Sequence, residues 1–257
     1  MEFSSSRRKV ERAAKHIRDL DELLNTFAKS DFYSVSIEEH KGSNHVRIGI
    51  DKSGFSTTDA ALIIGDALHN LKSALDMLYY QAMHETTGAT DHRTRFPIRN
   101  EREELVAAIE GGLKKKLLAD DPSALRIRDV IVDGVKAYKA GNRPLWALHD
   151  LNIRDKHQLL VPIFDVMRFT DIRLEDEKEV FLADRQPYFM DDSSRFKIER
   201  RGRLTVKDKG HAAIAIVFNL GVPFEGDSVI HSLKKILESV AHAIDAFDAL
   251  GLHSVLD

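Results

Sequence analysis

The sequence contains no cysteine. Disulfide scaffolds, cysteine-ligated zinc, iron–sulfur clusters and thiol catalysis are excluded, and the absence fits a cytoplasmic protein. Long apolar runs are missing as well. The longest, residues 212–220, is interrupted by Asn219. It falls far short of the roughly 20 residues that a membrane-spanning helix needs. Residues 1–10 are polar and basic with no apolar stretch behind them, so no targeting segment and no membrane partner are expected. Neither sign of charge dominates, because 38 Lys and Arg stand against 41 Asp and Glu for a net charge of −3. That balance argues against a DNA-coating protein. It still allows a local basic patch to meet nucleic acid.

Catalytic signatures are scarce too. There is no His-Glu-x-x-His pair and no Gly-x-Ser-x-Gly elbow. Gly111-Gly112 is followed by Leu-Lys-Lys-Lys, which is neither a phosphate loop nor a dinucleotide fingerprint. No cofactor is expected.

What the chain does have is size and pattern. Its 257 residues are 43% hydrophobic and 31% charged, enough to bury a real core. Apolar residues recur at helical spacing over 5–29, 58–84, 101–118, 123–140, 144–160 and 227–250. Gly111-Gly112 is expected to break or kink the third of these. Phe96-Pro97-Ile98 reads as an extended connector. Residues 32–51 alternate around a Lys41-Gly-Ser-Asn44 turn, which predicts a β-hairpin. Short strand-like runs fill 161–218. The order predicts an α+β fold: one interwoven domain over 1–257, with a helical bundle layer packed with an antiparallel sheet. The N-terminal hairpin is expected to join the later strands, because a lone two-stranded hairpin is only marginally stable.

Two helices carry polar residues in unusual places. On the helix at 58–84, Ile64, Ala67, Leu68, Leu71, Leu75 and Leu78 share one face. A second stripe holds Asp66, His69, Asn70, Ser73, Asp76 and Tyr80. It has few of the Lys and Glu residues of a solvated face, so it is expected to meet something. Lys72 can pair Asp76 at i,i+4. On the helix at 144–160, Asn152 and Asp155 fall in the apolar arc of Leu148, Leu151 and Leu159. An amide or carboxylate there needs a partner. The reading is that these two helices pack together and that Asp155 is buried, accepting from Lys72, His69, Asn70 or backbone donors. His149, Asn152 and Lys156 form an adjacent stripe, and Asp150, Arg154 and His157 another.

Gly65-Asp-Ala-Leu-His-Asn-Leu-Lys-Ser-Ala-Leu-Asp76 and Leu148-His-Asp-Leu-Asn-Ile-Arg-Asp-Lys-His157 resemble the two hallmark segments of an uncharacterised bacterial protein family, with Phe96-Pro97-Ile98 between them. The resemblance implies a shared polar centre. Arg143-Pro-Leu-Trp-Ala-Leu-His149 is similar to the Arg…His spacing of HEPN domains, helical bundles found in toxins and phage-defence ribonucleases. Here Pro144 stands where those domains usually carry a polar residue. This likeness implies an RNA-cleaving pair, Arg143 and His149, set in a cleft shared across a homodimer.

Three functions follow from these residues. The first is a binding or interaction module built on His69, Asn70, Lys72, Asp76, Asn152, Arg154, Asp155 and Lys156. The second is a metal-independent ribonuclease. His149 and His157 would supply acid–base chemistry, and Arg143, Arg154 or Lys156 charge stabilisation. The third is a metal-dependent or small-molecule hydrolase at a His69/His157 seam. His69, Asp76, His149 and Asp155 are eligible ligand types, but no tight cluster marks a metal site. Lys114-Lys-Lys116 and Arg200-Arg-Gly-Arg203 are small basic clusters that could track phosphates if they share a face.

Overall fold

A computed structural model describes residues 3–40, 43–176, 180–185, 193–198 and 203–251. The fold is α+β. Its helices are α1 (Ser4–Ala28), α2 (Thr57–Thr87), α3 (Arg102–Lys115), α4 (Pro122–Asp129), α5 (Arg143–Asp155) and α6 (Val229–Asp248). Its strands are β1 (Tyr33–His40), β2 (Ser43–Ile50), β3 (Ile163–Glu175), β4 (Val180–Arg185), β5 (Ser193–Ile198), β6 (Thr205–Asp208) and β7 (His211–Val217). The chain folds into two compact units, each assembled from separated stretches of sequence. One takes residues 3–20, 58–161 and 218–251, and the other the described residues of 21–57 and 162–217. In the cluster at 200–203, residues 200–202 lie outside the described residues.

The first unit is helical. Ile64, Leu68, Leu71, Leu75 and Leu78 of α2 are fully buried, as the apolar spacing predicts. Local chemistry sets the helix starts. Asp121 accepts from the Ser123 and Ala124 amides at 2.9 Å, and Pro122 needs no amide bond in the first turn. Asn142 accepts from the Leu145 amide at 3.2 Å, again with a proline in the first turn. Helix α6 packs on α5. Its Phe247 meets the rings of Phe3 and Phe96, with centroids 6.3 and 6.2 Å away.

Three expectations need correction here. Gly111-Gly112 do not end α3, which runs on to Lys115. Each glycine costs a helix about 1 kcal/mol. Burial of Leu105, Ile109 and Leu113 on the same helix outweighs that, at roughly 2 kcal/mol per side chain. The helix at 123–140 is shorter than its pattern suggests. After Asp129 it widens into a π-helical turn, Val130–Val135, and stops where Lys136 adopts φ 57°. Helix α5 ends at Asp155, so His157 lies beyond it in an exposed turn.

In the second unit, β1 and β2 pair antiparallel from Tyr33↔Ile50 to His40↔Ser43. The hairpin does join a later strand, since β2 also pairs β5. A second antiparallel sheet is built on β3, which pairs β4, β6 and β7. Strand β3 is longer than the short runs expected over this stretch, and its pairing carries register shifts. Phe27, Phe32, Phe55 and Phe164 form an aromatic cluster in this unit, with Phe164 within 6.3 Å of each of the other three. Gly210, at φ 70°, lies where a Cβ would sit 2.1 Å from the Thr170 carbonyl, so no side chain fits.

Helices α2 and α5 approach at Gly65. A Cβ there would lie 2.6 Å from Asp155 Oδ2. Asp155 itself is half-buried rather than buried, because it closes the end of α5. Its partner is the Leu160 backbone amide, and burial raises its pKa. Of the donors foreseen, the backbone supplies the bond, and Lys72 turns to Asp76 instead. In an isolated helix Gly→Ala gains about 1 kcal/mol. Here Gly65→Ala should lower stability by about 1–2 kcal/mol through overpacking. In an Asp155→Ala background the same substitution should become stabilising. Urea unfolding of the four variants reads this as a coupling energy.

Candidate functional site

The site is organised by Asp76, midway along α2. Its carboxylate accepts from Lys72 Nζ one turn earlier and from the Phe96 backbone amide at 3.0 Å. Arg95 Nε lies 3.7 Å from its second oxygen. The carboxylate thus ties α2 to the extended connector that carries Phe96-Pro97-Ile98.

The connector is held at several other points. Asp91 accepts from the Arg93 amide at 2.8 Å and fixes the turn that starts it. Further on, the Arg99 amide donates to the Ala137 carbonyl, and the Lys139 amide to the Asn100 carbonyl, both at 3.1 Å. Those partners directly follow the π-helical turn. Trp146 Nε1 on α5 donates to Asn100 Oδ1 at 2.8 Å, and Lys139 lies 4.5 Å over the indole. Three arginines on this strap therefore have a fixed backbone beneath them.

Against the strap lies a chamber of about 700 Å³. Arg93, Arg95 and Arg99 reach it from the connector, and Lys115 and Lys116 from the end of α3. Lys72 enters from α2 and Lys156 from the end of α5. Among the described residues, two carboxylates, Asp76 and Asp91, face these seven cations. Among the described residues, Arg93, Arg99, Lys115, Lys116 and Lys156 make no ion pair with a carboxylate. Lys116 Nζ instead donates to the Ala89 carbonyl at 2.7 Å and to Thr94 Oγ1 at 3.2 Å. Tyr79, Phe96, Ile109 and Leu113 supply apolar wall. Gly112 also lines the chamber, and a Cβ on it would meet nothing within 4 Å.

Among the described residues, the Asn152 amide and one ring nitrogen of His149 have no hydrogen-bond partner. Asn152 is 5% exposed, and no hydrogen bond reaches its amide. His149 Nδ1 is buried and likewise unbonded. Burial, with Lys72 and Arg99 adding repulsion, holds the His149 imidazole below its ordinary value, opposed by Asp150 and Asp76. The shift favours the neutral imidazole. Burial also lowers the Lys72 pKa, opposed by Asp76, with Lys156 and Arg95 adding to the lowering. Tyr79 is pushed up to about 12 by burial and stays protonated.

The residues singled out from sequence divide between places. Lys72, Asp76, His149, Asn152 and Lys156 come together in this chamber. His69 opens onto a second, adjacent chamber. Asn70 accepts from Lys9 Nζ at 3.3 Å and donates to the Asp66 carbonyl at 2.8 Å. Arg154 pairs Asp150 at 2.6 Å. Asp155 rests against Gly65, and His157 is exposed and lines neither chamber. Arg143 is exposed, with its guanidinium 5.7 Å from the Phe224 ring centre, and is outside the chamber lining. Among the described residues, no three His, Asp or Glu side chains gather into a metal-binding group, and no helix is long and apolar enough to cross a membrane.

Sequence reasoning passed over Arg93, Arg95 and Arg99. Their signal was present, as three arginines within seven residues flanking a rigid Phe-Pro-Ile. No family model, curated protein or solved structure matches the chain.

Two measurements check this geometry. Asp76→Ala leaves the buried Lys72 ammonium without its counter-ion and should lower stability by about 3 kcal/mol. Lys72→Met with Asp76→Asn removes both charges and keeps an oxygen for the Phe96 amide. It should recover most of the loss in urea midpoint. The His149 pKa is depressed in the folded state, so the unfolded chain binds its proton first on acidification. Stability linked to His149 is whole above the ordinary imidazole value of about 6.5. It is lost as pH falls through the depressed value. Wild type should lose more stability between pH 7.5 and 5 than His149→Gln, as read by urea midpoints at each pH.

Proposed function

We propose that this chain is a binding module for a multiply charged, phosphate-bearing small molecule, held in the 700 Å³ chamber between α2, α3, α5 and the connector. The observation that carries this reading is the chamber's charge, with seven cations against two carboxylates. Uncompensated like charges repel and raise the energy of the folded state. An anion seated among them relieves that repulsion, and arginines bind phosphate oxygens in bidentate fashion. The Asn152 amide, on the chamber wall without a hydrogen bond of its own, adds an uncharged contact that fixes orientation. The volume lies in the range of small-molecule sites. A bacterial, cytoplasmic setting belongs to the same reading, supported by the family resemblance and by a chain free of cysteine.

Calorimetric titration with tripolyphosphate tests this. The wild type should bind, and more weakly as salt rises, because part of the attraction is screened. Arg99→Ala and Lys116→Ala should each weaken binding by about tenfold, the loss of a charge-assisted hydrogen bond. Lys114→Ala, which does not line the chamber, should leave it unchanged. Absence of binding at millimolar tripolyphosphate, or an equal effect of Lys114→Ala, removes the proposal.

One observation favours a second reading. His149 is a neutral imidazole among cations, which suits acid–base chemistry on a phosphodiester. Its partner at the HEPN-like spacing, Arg143, lies over Phe224 outside the chamber. RNA incubated with the protein in chelator should therefore stay intact. Cleavage abolished by both His149→Ala and Arg143→Ala would replace the binding module with a ribonuclease.

A further inference from the structure

The chamber has a neighbour of different character. A second cavity of about 550 Å³ shares Asp76, Thr94, Arg95 and Lys156 with the first, so the two meet at a common lip. Its remaining wall is largely the α2 stripe His69, Ser73, Met77, Tyr80 and Gln81. Beyond the shared Arg95 and Lys156 it adds one cation, Lys9, which already donates to Asn70. Tyr80 is 42% exposed and Met77 37% exposed, so both present apolar surface to this cavity. The Tyr80 ring stacks on His84 at an interplanar angle of 11°, which holds its plane.

Charge is thus concentrated at one end of a two-chambered cleft, and an aromatic and thioether surface lies at the other. A nucleic-acid strand spaces its charges evenly and would call for cations along both chambers. An inositol polyphosphate has a compact charge but no planar group for Tyr80. A compact polyanion joined to an uncharged aromatic ring system matches both ends. Resting on the anion-binding reading above, we propose that the ligand is a nucleoside polyphosphate. Its phosphates lie among Arg93, Arg99, Lys115 and Lys116, and its sugar crosses the lip at Arg95 and Lys156. Its base lies against Tyr80 and Met77. Ser73, Gln81 and His69 offer hydrogen bonds to the base edge.

The experiment is calorimetric titration of the full chain, without magnesium, using the four common nucleoside triphosphates, tripolyphosphate and a ten-residue uridine oligonucleotide. The tightest triphosphate should bind about tenfold more strongly than tripolyphosphate, the increment expected for one base stacked on an aromatic ring. Tyr80→Ala should abolish that increment and leave tripolyphosphate binding unchanged, while Tyr80→Phe retains it. An unchanged urea midpoint shows that both variants are folded. Equal affinity of wild type for tripolyphosphate and every triphosphate overturns the nucleotide assignment while the anion site stands. Tighter binding of the oligonucleotide than of any triphosphate overturns it in favour of a strand. Failure of tripolyphosphate and the triphosphates alike removes the anion site itself, and this assignment with it.

Discussion

The site depends on the Asp76 carboxylate. A lysine brought out of water is stable as a cation only beside a counter-charge. Lys72 gets that charge one helical turn away, at the distance that i,i+4 spacing fixes. The same carboxylate holds the Phe96 amide and faces Arg95. One side chain therefore neutralises a buried ammonium, anchors the arginine strap to α2 and stands where the two chambers meet. Its oxygens already have these partners, so it offsets little of the remaining positive charge. The cleft can be structurally secure and electrostatically unsatisfied at once.

Much of the fold was legible in the sequence because its signals are local. The spacing of Ile64, Leu68, Leu71, Leu75 and Leu78 points to a helix, and the alternation over 32–51 to a hairpin, although Ser43 and Asn44, read as turn, belong to β2 and residues 41–42 lie outside the described residues. What stayed hidden was set by distant contacts. The glycine pair in α3 reads as a break until its packed neighbours are known. The π-helical turn has no spacing signature of its own, and it ends a helix that the apolar period would carry on to residue 140.

The candidate site was half legible, for a similar reason. Helical projection shows that polar residues of α2 and α5 sit where solvation cannot explain them. It says nothing of an irregular strap. Phe96-Pro97-Ile98 has no period, so neither the inward direction of its arginines nor their meeting with Lys115 and Lys116 could be derived. Projection also overstated Asp155, which it placed in an apolar arc. The helix stops at that residue, and a helix end lies nearer to water than its middle does. The motif glycine Gly65 gains its meaning only from Asp155, which needs the space a side chain would fill.

Gly112 differs from Gly65 in what a side chain would encounter. At Gly65 an added methyl meets a carboxylate; at Gly112 it meets open space inside the first chamber. Alanine there also improves helix propensity. Bulk at position 112 is thus uncoupled from core packing and falls entirely on whatever occupies the cleft. The position works as a steric gauge. A side chain there would narrow the cleft, and so reduce the size of molecule admitted, without a clash against the helices that form it.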